Sequence, residues 1–272
     1  MRQPAMLAGI AILLLVAAVA AAAPFVFPYS PWDMQGAPFT PPGDPEFLLG
    51  TDSLGRDVAA AIAYGAPVSL LIGGVSTVVA LTIGLTLGAL AGYAGGRIDD
   101  AVMRFAEFFQ TIPSFVLAVV LVAIFRPSLG SIVAAIAIVS WPPVARVARA
   151  EFMTLRNREF VQAAQVLGHS SFSIIFRTIL PNALSPIIVL ASLMVANAIL
   201  TESALSFLGL GDPNRMSWGF MIGSGRSVIR LAWWVSVFPG ISIFLTVLGL
   251  NLVGEGLNTM FNPRLARRRK VA

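Results

Sequence analysis

Mostly apolar runs alternate with short polar segments along the whole chain: Ala5–Phe27, Pro67–Tyr93, Met103–Phe125, Leu129–Val147, Ala183–Phe207 and Leu231–Leu257. A helix needs about 20 such residues to cross roughly 30 Å of hydrocarbon. The pattern therefore predicts an all-α polytopic membrane protein with six transmembrane helices. Pro113, Pro142, Pro143, Pro186 and Pro239 fall in or near the runs; within a membrane they predict kinks, because neighbouring groups can satisfy the freed carbonyls. The first run stays apolar from Leu7 to Phe27, longer than the about 7–15 residues of a signal-peptide core, so an uncleaved span is expected. Three regions follow: residues 1–65 hold the first span and an extracytoplasmic segment, 66–262 a five-helix core, and 263–272 a basic tail. Asp57–Tyr64 forms a weakly amphipathic lead into the second span.

Composition strengthens this reading. Of 272 residues, 57% are hydrophobic and 11% charged, against about 45–50% and about 25% in soluble domains. The net charge of +5 could in principle meet nucleic acid or a membrane surface, but the arginines sit between apolar runs, which selects the bilayer and excludes nucleic acid. With the N-terminus inside, thirteen of the 18 basic residues fall in inner segments and five in outer ones. That bias places both termini in the cytoplasm. Trp32, Trp218, Trp233 and Trp234 lie near the outer interface, as an aromatic belt would. The chain has no cysteine and one histidine, His169, so disulfides, thiolate metal sites and histidine-based catalytic clusters are ruled out within it. His169, beside Gly168, reads as a polar turn residue.

The most patterned polar segment is Glu151–Pro181, between the fourth and fifth runs. Phe160, Ala164 and Leu167 share one helical face, and Phe172, Ile175, Phe176 and Ile179 share another. Gly168 and Ser170 separate the two, and Pro181 is expected to close the second helix. The pattern predicts two short amphipathic helices with an apolar ridge. It suits either a linker lying on lipid headgroups or a helix that docks in the groove of a soluble partner.

Three stretches carry a resemblance that separates these options. Gln162-Ala163-Ala164, then Gly168, then Ile179-Leu180-Pro181 resembles the EAA loop of ABC importer permeases. Gln162 stands where that family usually has glutamate; Glu159, one turn earlier, could replace it. Gly50-Thr51-Asp52-Ser53-Leu54-Gly55-Arg56-Asp57 resembles a segment of dipeptide and oligopeptide permeases. Leu205-Ser206-Phe207-Leu208-Gly209-Leu210-Gly211 with Trp218-Gly219, and Pro113 in its Gln110–Ser114 setting, fit the same group. The chain thus looks like the second of two paired permeases of the dipeptide, oligopeptide and nickel group. The resemblance implies a type I ABC importer permease fold and a cytoplasmic coupling helix built from residues 151–181. It further implies a homologous permease partner in a heterodimer, two cytoplasmic ATPase subunits that bind ATP and magnesium, and an extracytoplasmic substrate-binding protein. This chain itself would carry no cofactor and no catalytic residue. Dipeptides or short oligopeptides are the implied substrates; similar systems carry nickel chelates and haem.

Several features have plainer readings. Gly50 to Gly55 has P-loop spacing but lacks the Lys-Ser/Thr pair; a structural turn with Asp57 capping the next helix accounts for it. Gly84, Gly88 and Gly92 at four-residue spacing predict close helix packing. Polar groups within spans are costly and default to function, which makes Asn197, Thr201, Glu202 and Asn251 candidates for a translocation path. For Glu202 and Glu255, near span ends, interfacial hydrogen bonding is the competing reading. A stand-alone secondary transporter would need ion-coupling groups at the bilayer midplane or an inverted repeat, and neither is evident. A purely structural membrane subunit would differ in not binding ATPases through the 151–181 loop.

Overall fold

The computed structural model of the chain describes residues 4–261; Arg2 and the basic tail beyond them lie outside the described residues. The described residues are helical, with two isolated antiparallel bridges, Met34–Arg56 and Thr51–Asp57, in place of any sheet. The elements are α1 (Pro4–Val26), α2 (Val58–Ala94), α3 (Gly96–Gln110), α4 (Ser114–Phe125), α5 (Leu129–Arg156), α6 (Glu159–Val166), α7 (Ser171–Ser173), a π-helical segment (Ile174–Ile179), α8 (Leu180–Phe207), α9 (Trp218–Gly225) and α10 (Trp234–Phe261). Five helices are long and apolar enough to cross a membrane, or six if the bent pair α3–α4 is one span.

That bend is the kink expected at Pro113, sharp enough to divide the run Met103–Phe125 into two helices. Pro113 lacks an N–H and biases Ile112 away from helical angles, so the helix breaks and turns by 79°. The reason is also visible in α3, which carries Arg97, Asp99, Asp100, Arg104 and Glu107 and cannot lie in hydrocarbon along that face. Two further spans are longer than their apolar runs. Asp57–Tyr64 does not precede α2 as a separate stretch: Asp57 is its N-cap, accepting from the Ala59 N–H at 2.9 Å, and the helix runs unbroken through Pro67. The other, α5, continues past Val147 to Arg156.

The frame of the molecule is α2 against α5, the most extensive helix pair. Gly84 faces Val144, Gly88 faces Ala145 and Ala148, and Gly92 faces Phe152, as the four-residue spacing predicts. A Cβ would stand 2.5 Å from Val144 Cβ at Gly84 and 2.6 Å from the Arg149 carbonyl oxygen at Gly92, closer than real side chains come. At the end of this pair nearest residue 156, Arg149 grips Asp99 of α3 through two parallel hydrogen bonds, and Arg156 Nη1 donates to the Tyr93 carbonyl at 2.7 Å.

Residues 28–57 form an irregular cap over the other end. Gly50 and Gly55 hold φ of 77° and 76°, the turn angles expected of them. Trp234 Nε1 donates to the Thr51 carbonyl and Trp218 Nε1 to the Ile62 carbonyl, each at 3.0 Å. Both indoles are buried. This corrects the aromatic-belt reading for these two: each indole N–H finds a backbone acceptor inside the protein, which lets the whole ring leave the interface. Tyr29 donates to Asp57 Oδ2 at 2.8 Å. Burial, then that carboxylate, pushes the phenol up to about 12, so it remains a donor and ties the cap to the start of α2.

Because Gly88 has no room for a side chain, Gly88→Leu is expected to lower stability by about 1–3 kcal/mol through overpacking. Gly74, with nothing within 4 Å of an added Cβ, should accept leucine. Thermal unfolding of both variants in detergent, read against the parent, checks the contrast; equal stability would refute the seam.

Candidate functional site

Two places concentrate unexplained chemistry: a surface ridge around Gly168 and a cavity beside the α3–α4 bend.

At the ridge, α6 ends in a Schellman motif. The His169 N–H donates to the Ala164 carbonyl at 3.1 Å and the Gly168 N–H to the Gln165 carbonyl at 3.0 Å, with Gly168 at φ 78°. Ser170 then caps α7, its oxygen accepting from the Ser173 N–H at 3.3 Å. Pro181 does not close this second helix. Residues Ser171–Phe207 run on as one rod of 37 residues, correcting the expectation of a separate short helix. The π-helical segment Ile174–Ile179 explains how: the Leu180 N–H reaches back five residues to the Ile175 carbonyl, and the widened turn accommodates the proline that follows.

The apolar faces divide differently from the expected single ridge. Ala164, Ile179 and, unforeseen, Val161 and Ile174 are buried against Phe152 of α5 and Ala89 of α2, with Ile175 and Leu180 packed on their edge. Facing outward are Phe160, Val166, Leu167, Phe172 and Phe176, with Leu167 76%, Phe172 71% and Phe176 50% exposed. The rings of Phe172 and Phe176 lie 4.5 Å apart. Gln162, Ala163, Gly168 and Pro181 are exposed; Gln162 Nε2 donates only weakly, to the Asn157 carbonyl at 3.4 Å. One face of the hairpin is therefore fastened to the α2–α5 frame, and the other presents a bare apolar strip on a polar turn. His169 is exposed at the turn.

The cavity has a volume of about 660 Å³ and lies among α3, α4, α5 and α8. Asn197 and Thr201 line it, on a stripe of α8 that also includes Leu190, Met194 and Ala204. Thr201 Oγ1 donates to the Asn197 carbonyl at 2.8 Å, as a membrane hydroxyl must when no other acceptor is near. Sequence reasoning missed Gln110, Ser114 and Ser140, which complete the polar lining. For Gln110 and Ser114 the signal was the Thr111–Pro113 break: once it bends the third run, the residues either side of it turn inward together. No lining residue is ionisable, so the cavity offers amides, hydroxyls and apolar surface. The other two path candidates do not line it. Asn251 is exposed on α10, and Glu202 is buried in the packing between α8 and α9.

Residues 84–267 match the family of binding-protein-dependent transport system inner membrane components. The chain belongs to that family. The matched region begins at Gly84, on the α2 seam, and takes in both the ridge and the cavity. Among individual proteins, this permease component is 43% identical to the di/tripeptide transport system permease protein DppC of Pseudomonas aeruginosa, over 95% of this chain and 88% of that one. It is 37% identical to the dipeptide transport system permease protein DppC of Bacillus subtilis, over 96% and 82% respectively. The fold also matches a chain of the MetNI methionine ABC transporter in inward-facing form, with a TM-score of 0.61 at 17% identity, covering 74% of this chain and 96% of that one.

A cysteine-free permease allows a direct test of the cavity. In the assembled transporter, Asn197→Cys and Thr201→Cys should react with a charged, water-soluble thiol reagent, and Ala198→Cys, on the buried side of α8, should not. Equal labelling at all three positions would contradict the assignment.

Proposed function

We propose that this permease is one of the two membrane subunits of an ATP-driven, binding-protein-dependent importer of dipeptides or short oligopeptides. A homologous permease completes the pore, two ATPase subunits work at the cytoplasmic side, and a substrate-binding protein delivers from outside. ATP and magnesium belong to the ATPase subunits, and this chain contributes no catalytic group. The arginine bias supports a cytoplasmic location for both termini and for the Gly168 ridge, and an outer location for the residue 28–57 cap.

The observation that carries this reading is the bare strip of Leu167, Phe172 and Phe176 at the foot of the Ser171–Phe207 rod. An apolar strip on a polar hairpin suits a groove in a soluble protein, and burying a phenylalanine there is worth about 1.5–3 kcal/mol. Its opposite face is already committed to the α2–α5 frame. Whatever moves the ridge therefore tilts the wall of the cavity, because Asn197 and Thr201 ride on the same rod. Coupling is then a population shift. Closure of the ATPases favours one position of the ridge, hence the outward-open arrangement of the spans, and hydrolysis restores the inward-open one.

Peptide cargo is supported by the DppC relatives, which span nearly the whole chain. The uncharged cavity lining agrees with it. Amides and hydroxyls can pair with a peptide backbone, while the absence of fixed charge leaves side chains of either sign unopposed.

Phe176→Asp should leave the complex assembled and hydrolysing ATP while lowering uptake by about tenfold or more, as expected for loss of a coupling free energy of a few kcal/mol. Uptake and hydrolysis measured on the same proteoliposomes decide this. Normal uptake by the assembled variant would refute the role given to the ridge.

A further inference from the structure

Glu202 is the most deeply buried carboxylate among the described residues, 1% exposed, and neither the ridge nor the cavity uses it. It sits one turn and a half from the outer end of α8. Ser206 Oγ donates to its Oε1 at 2.9 Å and Ser217 Oγ donates to the same oxygen at 2.8 Å. Ser217 is itself the N-cap of α9, accepting from the Phe220 N–H at 3.0 Å. Gly219 closes over the other oxygen: a Cβ there would lie 2.6 Å from Oε2. The next N–H along, that of Trp218, donates to Ser69 Oγ on α2 at 3.0 Å.

A carboxylate in this position is expensive, since a buried charged or acidic group must be matched by donors to be tolerated at all. Leucine would fill the space without that cost. What Glu202 supplies in exchange is a fixed point: one oxygen that joins α8, through Ser206, to the first turn of α9, through Ser217. Arg226 reinforces the same joint from the far end of α9, its Nη1 donating to the Phe207 carbonyl at 2.6 Å. On the other side, Asp212 in the intervening segment accepts from the Leu129 N–H at the start of α5, at 2.8 Å.

The 37-residue rod that ends near this grip begins at the coupling ridge. We propose that Glu202 is a positioning residue that locks α8 to α9 and the 208–217 segment, which are themselves tied to α2 at Ser69 and Ile62 and to α5 at Leu129, so that the head of the rod is held as a pivot while the ATPases move its foot. The proposal rests on the reading of the ridge as the coupling element. It adds that the far end of that helix is anchored to the frame through one buried acceptor.

The test uses the complete transporter with spin labels at Leu193→Cys on α8 and Ser224→Cys on α9, both exposed positions outside the cavity lining. With Glu202 present, the distance between the labels should be narrow and the same in nucleotide-free and ATP-bound states. Glu202→Leu should broaden it, leave basal ATP hydrolysis intact, and lower both uptake and the stimulation of hydrolysis by the binding protein by about fivefold or more. Glu202→Gln keeps an acceptor oxygen for both serines and should restore the narrow distance and most of the stimulation. A distance that changes between nucleotide states in the parent would overturn the proposal. So would a Glu202→Leu complex that assembles poorly but whose assembled fraction keeps parental stimulation, since that is the behaviour of a packing residue. The label distance does not involve the ridge, so it can fail while Phe176→Asp still uncouples, and the reverse.

Discussion

Helices in a bilayer gain nothing by hiding apolar side chains from one another, because lipid is as apolar as they are; they associate through close contact of their backbones. The rest of this structure depends on one such contact, the glycine seam of α2 against α5. Gly84, Gly88 and Gly92 let the α2 backbone approach the carbonyls of Trp141, Ala145 and Arg149. Several attachments at the end nearest residue 156 are made to that pair. Asp99 brings in α3 through Arg149, Arg156 holds the end of α2, and Phe152 takes the inward face of the hairpin at Val161 and Ile174. The pair is the fixed body against which something else can move.

What is left to move is the Ser171–Phe207 rod. It rests on the frame at its foot, through Ile174, Ile179, Ala183 and Ile187, and again higher up, where Gly73 receives Val195 and Ile199, and it passes beside the cavity with Asn197 and Thr201 on that side. Its foot bears the exposed Phe172–Phe176 pair and its head is held by α9. A continuous helix between these points carries a displacement of its foot to the cavity wall. The π-helical turn at Ile174–Ile179 carries Phe176 of the ridge itself, and it is what allows Pro181 to sit inside the rod without breaking it.

Much of this was legible in the sequence, for definite reasons. The spans follow from the length of apolar runs, and the glycine seam from its four-residue period. The Asp57 cap and the turn at Gly168 follow from residue types that have few other uses. The errors share a different cause: each was a place where tertiary contact reversed a local preference. Pro181 reads as a helix stop because proline lacks an N–H, and only a register change in the preceding turn cancels that. Trp218 and Trp234 read as interfacial because of their position near span ends; the carbonyls of Ile62 and Thr51, distant in sequence, draw them inside. Glu202 reads as a path or interfacial residue for the same positional reason, and its serine partner at 217 lies beyond a turn whose course the sequence does not reveal. Gln110 and Ser114 did not stand out because the 79° bend that turns them toward Asn197 depends on how α3 packs on α5, not on Pro113 alone.

The central claim is that the bare aromatic pair at the foot of the rod is seated in an ATP-hydrolysing subunit. A photoreactive cross-linker attached at Phe172→Cys in transport-competent membranes reports its neighbour directly. The account predicts a covalent adduct with the ATPase subunit, present with and without nucleotide. Adducts with lipid alone, in a transporter that still takes up substrate, would contradict it.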